Sequence, residues 1–145
     1  MELKLIVPVA VKQKSLARYF PIPPLNLLYV AAVTPKDAEI VLVDEHVDKI
    51  DFEEEIDLVG ITSLTATAAR AYEIGDEFKK RGVKVVLGGI HPSMLPDEAI
   101  QHADAVVLGE AENLWPRLIE DFKRRELKRF YQSSQKPSLE NLPFP

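Results

Sequence analysis

Cysteine is absent from this 145-residue chain. That excludes disulfides, a cysteine-based zinc site and an iron–sulfur cluster within the chain itself. No apolar run approaches the roughly 18 residues that a membrane-spanning helix needs. Met1-Glu-Leu-Lys4 leads directly into a strand pattern rather than a signal peptide, so a cytoplasmic protein without a membrane partner is expected. Positive charge is also in short supply. Lys and Arg number 18 against 23 Asp and Glu, a net charge of −5, which argues against nucleic acid as a partner because phosphate binding wants a basic face. The basic cluster of Lys123, Arg124, Arg125, Lys128 and Arg129 reads as a solvated helix end, where cations are favoured. The six acidic residues between Asp48 and Asp57 read as an exposed loop. No Gly-x-Gly-x-x-Gly or Walker loop occurs, and nothing forms a hydrolase triad.

Five short apolar runs stand out: Leu3–Val7, Glu39–Asp44, Leu58–Thr62, Val83–Leu87 and Ala105–Leu108. Their β-branched content and continuity suit strands buried on both faces. Helical patterns lie between them. Pro23-Pro24 opens a short helix over Leu25–Val33, stopped by Pro35. A second runs from about Thr67 to Arg81 with Gly82 placed as its C′ residue, and a short one covers Asp97–Gln101. The last starts near Ala111 and puts Leu114, Leu118 and Phe122 on one stripe. Strands alternating with helices predict a flavodoxin-like, doubly wound α/β domain, a five-stranded parallel sheet in the order 2-1-3-4-5. Phe130-Tyr131 offers at most a short extra edge strand. The domain is expected over residues 1–132, with 133–145, rich in Ser and Pro, as a linker toward something that follows.

The organising stretch is Lys84-Val-Val-Leu-Gly-Gly-Ile-His-Pro-Ser-Met-Leu-Pro96. A strand ending in Gly88-Gly89 at the carboxyl edge of a sheet stands where open α/β folds place ligands. Four loops converge on that edge: Pro8–Pro24, Thr62–Thr67, Gly88–Pro96 and Gly109–Asn113. The first, with Arg18, Tyr19 and Phe20, is long enough to suggest a function. Other uses of the fold lack their residues. A receiver domain needs an acidic pair after strand one and a phospho-acceptor Asp after strand three, where this chain has Pro8-Val9 and Thr62-Ser63. A flavodoxin needs a Ser/Thr/Gly phosphate cradle after strand one, and Pro8–Lys14 is none.

Taken together, Pro23-Pro-Leu-Asn-Leu-Leu-Tyr-Val-Ala-Ala32, Asp57-Leu-Val-Gly-Ile-Thr-Ser63, Gly88-Gly-Ile-His-Pro92 and Val106-Val-Leu-Gly-Glu-Ala-Glu112 resemble the cobalamin-binding domain that precedes the catalytic barrel in cobalamin-dependent radical S-adenosylmethionine enzymes. Leu139-Glu-Asn-Leu-Pro-Phe-Pro145 is similar to the linker into that barrel. The resemblance implies cobalamin as cofactor, held by Leu25, Asn26, Thr62, Ser63, Leu64, Thr65, Gly88, Gly89, His91, Pro92, Gly109, Glu110 and Glu112. It implies methyl transfer or ring-forming chemistry in a C-terminal barrel, which would carry S-adenosylmethionine and a 4Fe-4S cluster; the three-cysteine motif of that barrel is absent here. Mutase-type cobalamin domains carry Asp-x-His-x-x-Gly after strand one. This chain has no His there, and Asp44-Glu-His46 follows strand two without the Gly. His46 is therefore read as a loop residue, and cobalamin is expected without a protein His on cobalt.

Each of these residues also has a plainer reading. Thr62, Ser63, Thr65 and Thr67 would serve as helix caps, and Gly88-Gly89 as a turn. His91 would be a solvated loop residue, and Glu110 and Glu112 would answer a helix dipole. His102 and Trp115 read as packing residues. The competing function is a domain of the same fold that has lost cobalamin and recognises a substrate or partner protein.

Overall fold

The computed structural model describes residues 1–10 and 24–133. The long first loop with Arg18, Tyr19 and Phe20, and nearly all of the expected linker, lie outside them. The elements run β1 (Glu2–Val7), α1 (Leu25–Ala32), β2 (Glu39–Asp44), β3 (Leu58–Thr62), α2 (Ala68–Lys80), β4 (Lys84–Gly88), α3 (Ile90–Met94), α4 (Pro96–Ala99), β5 (Ala105–Leu108), α5 (Trp115–Lys123) and β6 (Phe130–Gln132). All strand pairs are parallel. The order is β2-β1-β3-β4-β5-β6, so the flavodoxin-like order holds and the sheet has six strands rather than five.

The sixth strand is too short, at three residues, for its periodicity to register in the sequence. Side-chain anchoring holds it in place. Tyr131 is 4% exposed; its hydroxyl donates to Asp121 Oδ2 at 3.0 Å and accepts from the Lys128 backbone N–H at 3.1 Å. Removing the hydroxyl in Tyr131→Phe is expected to cost about 1–2 kcal/mol, since it takes the acceptor from the Lys128 N–H and leaves Asp121 Oδ2 only the Lys128 ammonium at 3.4 Å. Urea unfolding checks this: the midpoint should fall at constant slope, and an unchanged midpoint would mean that Asp121 is satisfied by other groups.

Alternation along the strands sorts the core into two layers. Leu3, Leu5, Leu58, Val86, Ala105 and Val107 face α1 and α5, while Ile6, Val59, Ile61, Val85, Leu87 and Val106 face α2 with Ile74 and Phe78. Lys4 breaks the pattern on the second face and is 1% exposed. Its ammonium donates to the Asp51 carbonyl at 2.7 Å and meets Glu54 Oε2 at 2.5 Å, with the Phe78 ring 5.8 Å away. The acidic segment is thus mostly exposed, as expected, and yet folded against the sheet by this buried cation and by Asp57 Oδ2, which accepts from the Glu2 N–H at 2.8 Å.

Two helix expectations need correction. The stretch after Gly89 is a helix rather than a loop, α3, with Pro92 inside its first turn, where a missing N–H costs nothing. A separate turn of helix, α4, begins on Pro96. Secondly, α5 starts at Trp115 rather than near Ala111, and Pro116 occupies its second position. Gly82 does follow α2 at φ 81°, the left-handed C′ conformation expected of it. The basic cluster is exposed as read, with Lys123 on Asp37 and Lys128 on Asp121.

Candidate functional site

The register sets the depth of the carboxyl edge. Thr62 pairs with Gly88 at the strand ends, and two residues deeper Leu5, Gly60 and Val86 lie side by side. Because Gly88 carries no side chain, the sheet floor is low on the α1/α5 side at the strand ends, while over Gly60 it is covered by Leu5 and Trp115. A cleft of about 460 Å³ opens there. Its walls are α1 through Asn26, Leu27, Tyr29 and Val30, and α3 through Ile90, Ser93 and Met94. The turn Gly109–Glu112 and Trp115 close it. A Cβ built on Gly88 meets only Val107 Cβ, at 3.9 Å, so space above this glycine is open.

Hydrogen bonds fix the rim. Asn26 Nδ2 donates to Thr62 Oγ1 at 3.0 Å, tying the start of α1 to the end of β3. The Ser63 N–H donates to the Gly88 carbonyl at 3.0 Å, and the His91 N–H to the Ser63 carbonyl at 3.2 Å. Gly89 sits at this crossing with φ 96°. Ser93 Oγ donates to the Gly89 carbonyl at 2.7 Å and accepts from the Gly109 N–H at 2.9 Å, joining the turns after β4 and β5. At the deep end Trp115 Nε1 donates to Thr34 Oγ1 at 2.9 Å, and that hydroxyl donates to the Val30 carbonyl at 2.7 Å.

The expected site residues divide. Asn26, Thr62, Leu64, Gly88, Gly89, Gly109, Glu110 and Glu112 line the cleft. Leu25 is exposed on α1, and Ser63 and Pro92 are buried beside the cleft without lining it. Thr65 and His91 meet instead on the α2 side: His91 is 6% exposed, its Nδ1 is 3.3 Å from Thr65 Oγ1 and its Nε2 is 3.3 Å from Glu98 Oε1. Tyr72, stacked on His102 at 4.3 Å between ring centroids, belongs to the same group. Burial, aided by Glu98, pushes its phenol up to about 12, while Tyr72 and then His91 hold the Glu98 carboxyl below the usual range. Thr67 acts as a cap of its own turn, its Oγ1 accepting from the Leu64 N–H at 3.1 Å.

All three histidines of the chain, His46, His91 and His102, stand apart from the cleft lining. His46 pairs with Asp44 at 2.6 Å at the end of β2, and His102 with Asp76 at 3.0 Å. Among the described residues no cluster suited to a metal ion occurs, and no helix is long and apolar enough to cross a membrane. Sequence reasoning missed Gly60, Ser93 and Trp115 as parts of the cleft. Gly60 carried a signal, since a glycine inside a strand marks a close approach.

The cleft is largely apolar, with Asn26, Thr62, Ser93, Glu110 and Glu112 among its polar lining residues. One of them is unsatisfied. Glu112 Oε2 is buried without a hydrogen-bond partner among the described residues, an arrangement that a donor on a ligand would complete. Amide arms and ribose hydroxyls are donors of that kind, so the residues fit a corrinoid with its nucleotide tail.

No solved structure matches this chain. Among curated proteins it is 51% identical over 111 residues to bacteriochlorophyllide d C-8(2)-methyltransferase of Chlorobaculum tepidum, covering 76% of this chain and 25% of that protein. It is 43% identical over 114 residues to the bacteriochlorophyllide d C-12(1)-methyltransferase of the same organism, covering 77% and 25%. An uncharacterized methyltransferase of Synechocystis is 30% identical over 129 residues, covering 86% and 24%. The chain thus spans about a quarter of the length of these relatives. The model of the B12 binding domain matches residues 16–119. With the low glycine floor, the open cleft and this match together, the chain belongs to the B12-binding domain family.

Proposed function

We propose that this chain is the cobalamin-binding domain of a cobalamin-dependent radical S-adenosylmethionine methyltransferase. The observation that carries the reading is the open cleft above Gly88, with the unpartnered Glu112 oxygen on its wall. Thr62, Asn26 and Glu112 would hold polar groups of the nucleotide tail, the apolar walls would enclose its base, and Gly109 and Glu110 would meet the corrin at the rim. Cobalamin supplies a cobalt centre able to carry a methyl group. This chain's residues do no bond-making of their own: they bind, orient and keep the tail dry. A following barrel would carry the 4Fe-4S cluster and S-adenosylmethionine and act on a substrate; the names of the relatives favour a methyl transfer over a ring closure. Leu25, Leu64, Ile90, Met94 and Leu95, exposed between 47% and 74% around the cleft mouth, would face the corrin and that barrel. A cobalamin-free domain would be expected to fill the groove above Gly88 with a bulky side chain, and none stands there.

Titration of the chain with hydroxocobalamin tests this. Saturable binding is expected, and after reduction to the cobalt(II) state the paramagnetic resonance spectrum should lack nitrogen splitting from an axial histidine. A spectrum with that splitting, unchanged in a variant lacking all three histidines, would place the cofactor's own base on cobalt and contradict a tail held in the cleft. Absence of binding at high micromolar cobalamin, to this chain and to one extended by the barrel, would favour the cobalamin-free alternative.

A further inference from the structure

We infer that Trp115 is the size stop of the cleft and limits the base that a bound corrinoid can carry at the end of its nucleotide tail. The inference rests on the cobalamin reading and adds a selectivity to it. Trp115 is the only tryptophan in the chain and is 3% exposed. It opens α5, and its ring crosses the sheet at the deep level where Leu5, Gly60 and Val86 lie side by side. The contact is close: a Cβ built on Gly60 would stand 3.0 Å from Trp115 Cη2 and 2.9 Å from Leu5 Cδ2. The indole lies directly on the floor because residue 60 has no side chain. It is also held at its other end, by the hydrogen bond from Nε1 to Thr34 Oγ1 at 2.9 Å. An aromatic ring pinned at both ends is a rigid wall. A flat base entering between Thr62 and Gly88 and moving down the floor stops at its edge.

The chain's two levers on this wall act in opposite directions. Trp115→Phe shortens the ring and removes one donor, while Thr34 Oγ1 keeps its bond to the Val30 carbonyl. Gly60→Ala adds a methyl group under the indole and drives it toward the cleft.

The test compares three probes on the wild-type chain and both variants: hydroxocobalamin, its naphthimidazolyl analogue with one more fused ring, and cobinamide, which has no tail. Affinity is read from the visible spectrum, and folding from the melting temperature. The wild type is expected to bind the naphthimidazolyl analogue at least about tenfold more weakly than hydroxocobalamin, the scale on which a small misfit in an apolar pocket is rejected. Trp115→Phe should bring the two within about threefold of each other. Gly60→Ala should weaken hydroxocobalamin by about tenfold, and cobinamide should bind all three proteins alike. A wild type that binds both tailed corrinoids equally overturns the inference, as does a preference that survives in Trp115→Phe. Cobinamide affinity falling in step with the others would mean general damage rather than a size stop, and also overturns it. Failure to bind any of the three, by the wild-type chain and by one extended by the barrel, overturns the cobalamin reading as well.

Discussion

Gly89→Ala is expected to lower stability by roughly 3–5 kcal/mol, a large share of what a domain of this size has. Two costs add. Gly89 has φ 96° and ψ −171°, a region that essentially only glycine occupies, worth about 1–3 kcal/mol to a residue with a Cβ. The new methyl carbon would also stand 2.7 Å from the Ser63 carbonyl oxygen, 2.8 Å from Thr62 Oγ1 and 3.0 Å from the Ser63 nitrogen. Two of these three are backbone atoms of the neighbouring strand end, and they cannot rotate away. Relief would require β3 and β4 to separate just where Ser63 N–H bonds the Gly88 carbonyl and His91 N–H bonds the Ser63 carbonyl. The midpoint of thermal unfolding should fall by about 10–15 °C on this account. Gly82→Ala is the matched control. Its φ of 81° is also left-handed, but nothing lies within 4 Å of its Cβ position, so only the conformational cost of about 1 kcal/mol applies. Equal melting temperatures for the two variants would show that the crossing at Gly89 relaxes freely.

That glycine pair was legible in the sequence, and so was most of the frame around it. Buried parallel strands are continuous apolar runs, and five of them stand out without help. What escaped has physical causes. β6 depends on Tyr131 reaching back to Asp121, an interaction that leaves no periodic trace in a three-residue strand. α3 was concealed by Pro92, which reads as a breaker although a first-turn proline loses no hydrogen bond. Lys4 alternates as an exposed residue would, yet its stem is buried and its charge is met by a loop 47 residues further along the chain. At the site, local motifs gave residues at the start of α1 and after the strand ends: Asn26, Thr62, Gly88, Gly89, Gly109, Glu110 and Glu112 all line the cleft. They did not separate which side of the edge each residue serves. His91 and Thr65 follow the same strands as the cleft residues and yet turn to the α2 side, where Glu98 and Tyr72 await them. Nor did they reveal the deep wall, because Trp115 meets Gly60 across 55 residues of sequence and only the register brings them together.

Gly88→Leu should separate folding from binding where Gly89→Ala would damage both. Gly88 lies in β4 on the same face as Val86, opposite Thr62 in register, and it lacks the positive φ of its neighbour. Its only near contact is Val107 Cβ at 3.9 Å, an ordinary van der Waals distance. The Cβ of a leucine therefore meets no backbone atom, and with the rest of the side chain in the open cleft the melting temperature should stay within a few degrees of the wild type. Its side chain has one place to go, the cleft of about 460 Å³ that the tail would occupy. Filling that space forces a bound base out or strains the walls, a conflict of about 1–3 kcal/mol or more. The expected loss of hydroxocobalamin affinity is thus up to about a hundredfold. Gly88→Ala, with a single methyl group, should lose much less. The informative result is the pairing of a native melting curve with lost binding, because a defect in folding cannot produce it. Were Gly88→Leu to bind hydroxocobalamin as tightly as the wild type, the tail would have to lie elsewhere on the carboxyl edge. The missing side chains of Gly60 and Gly88 would then serve only the packing of Trp115 and Val107.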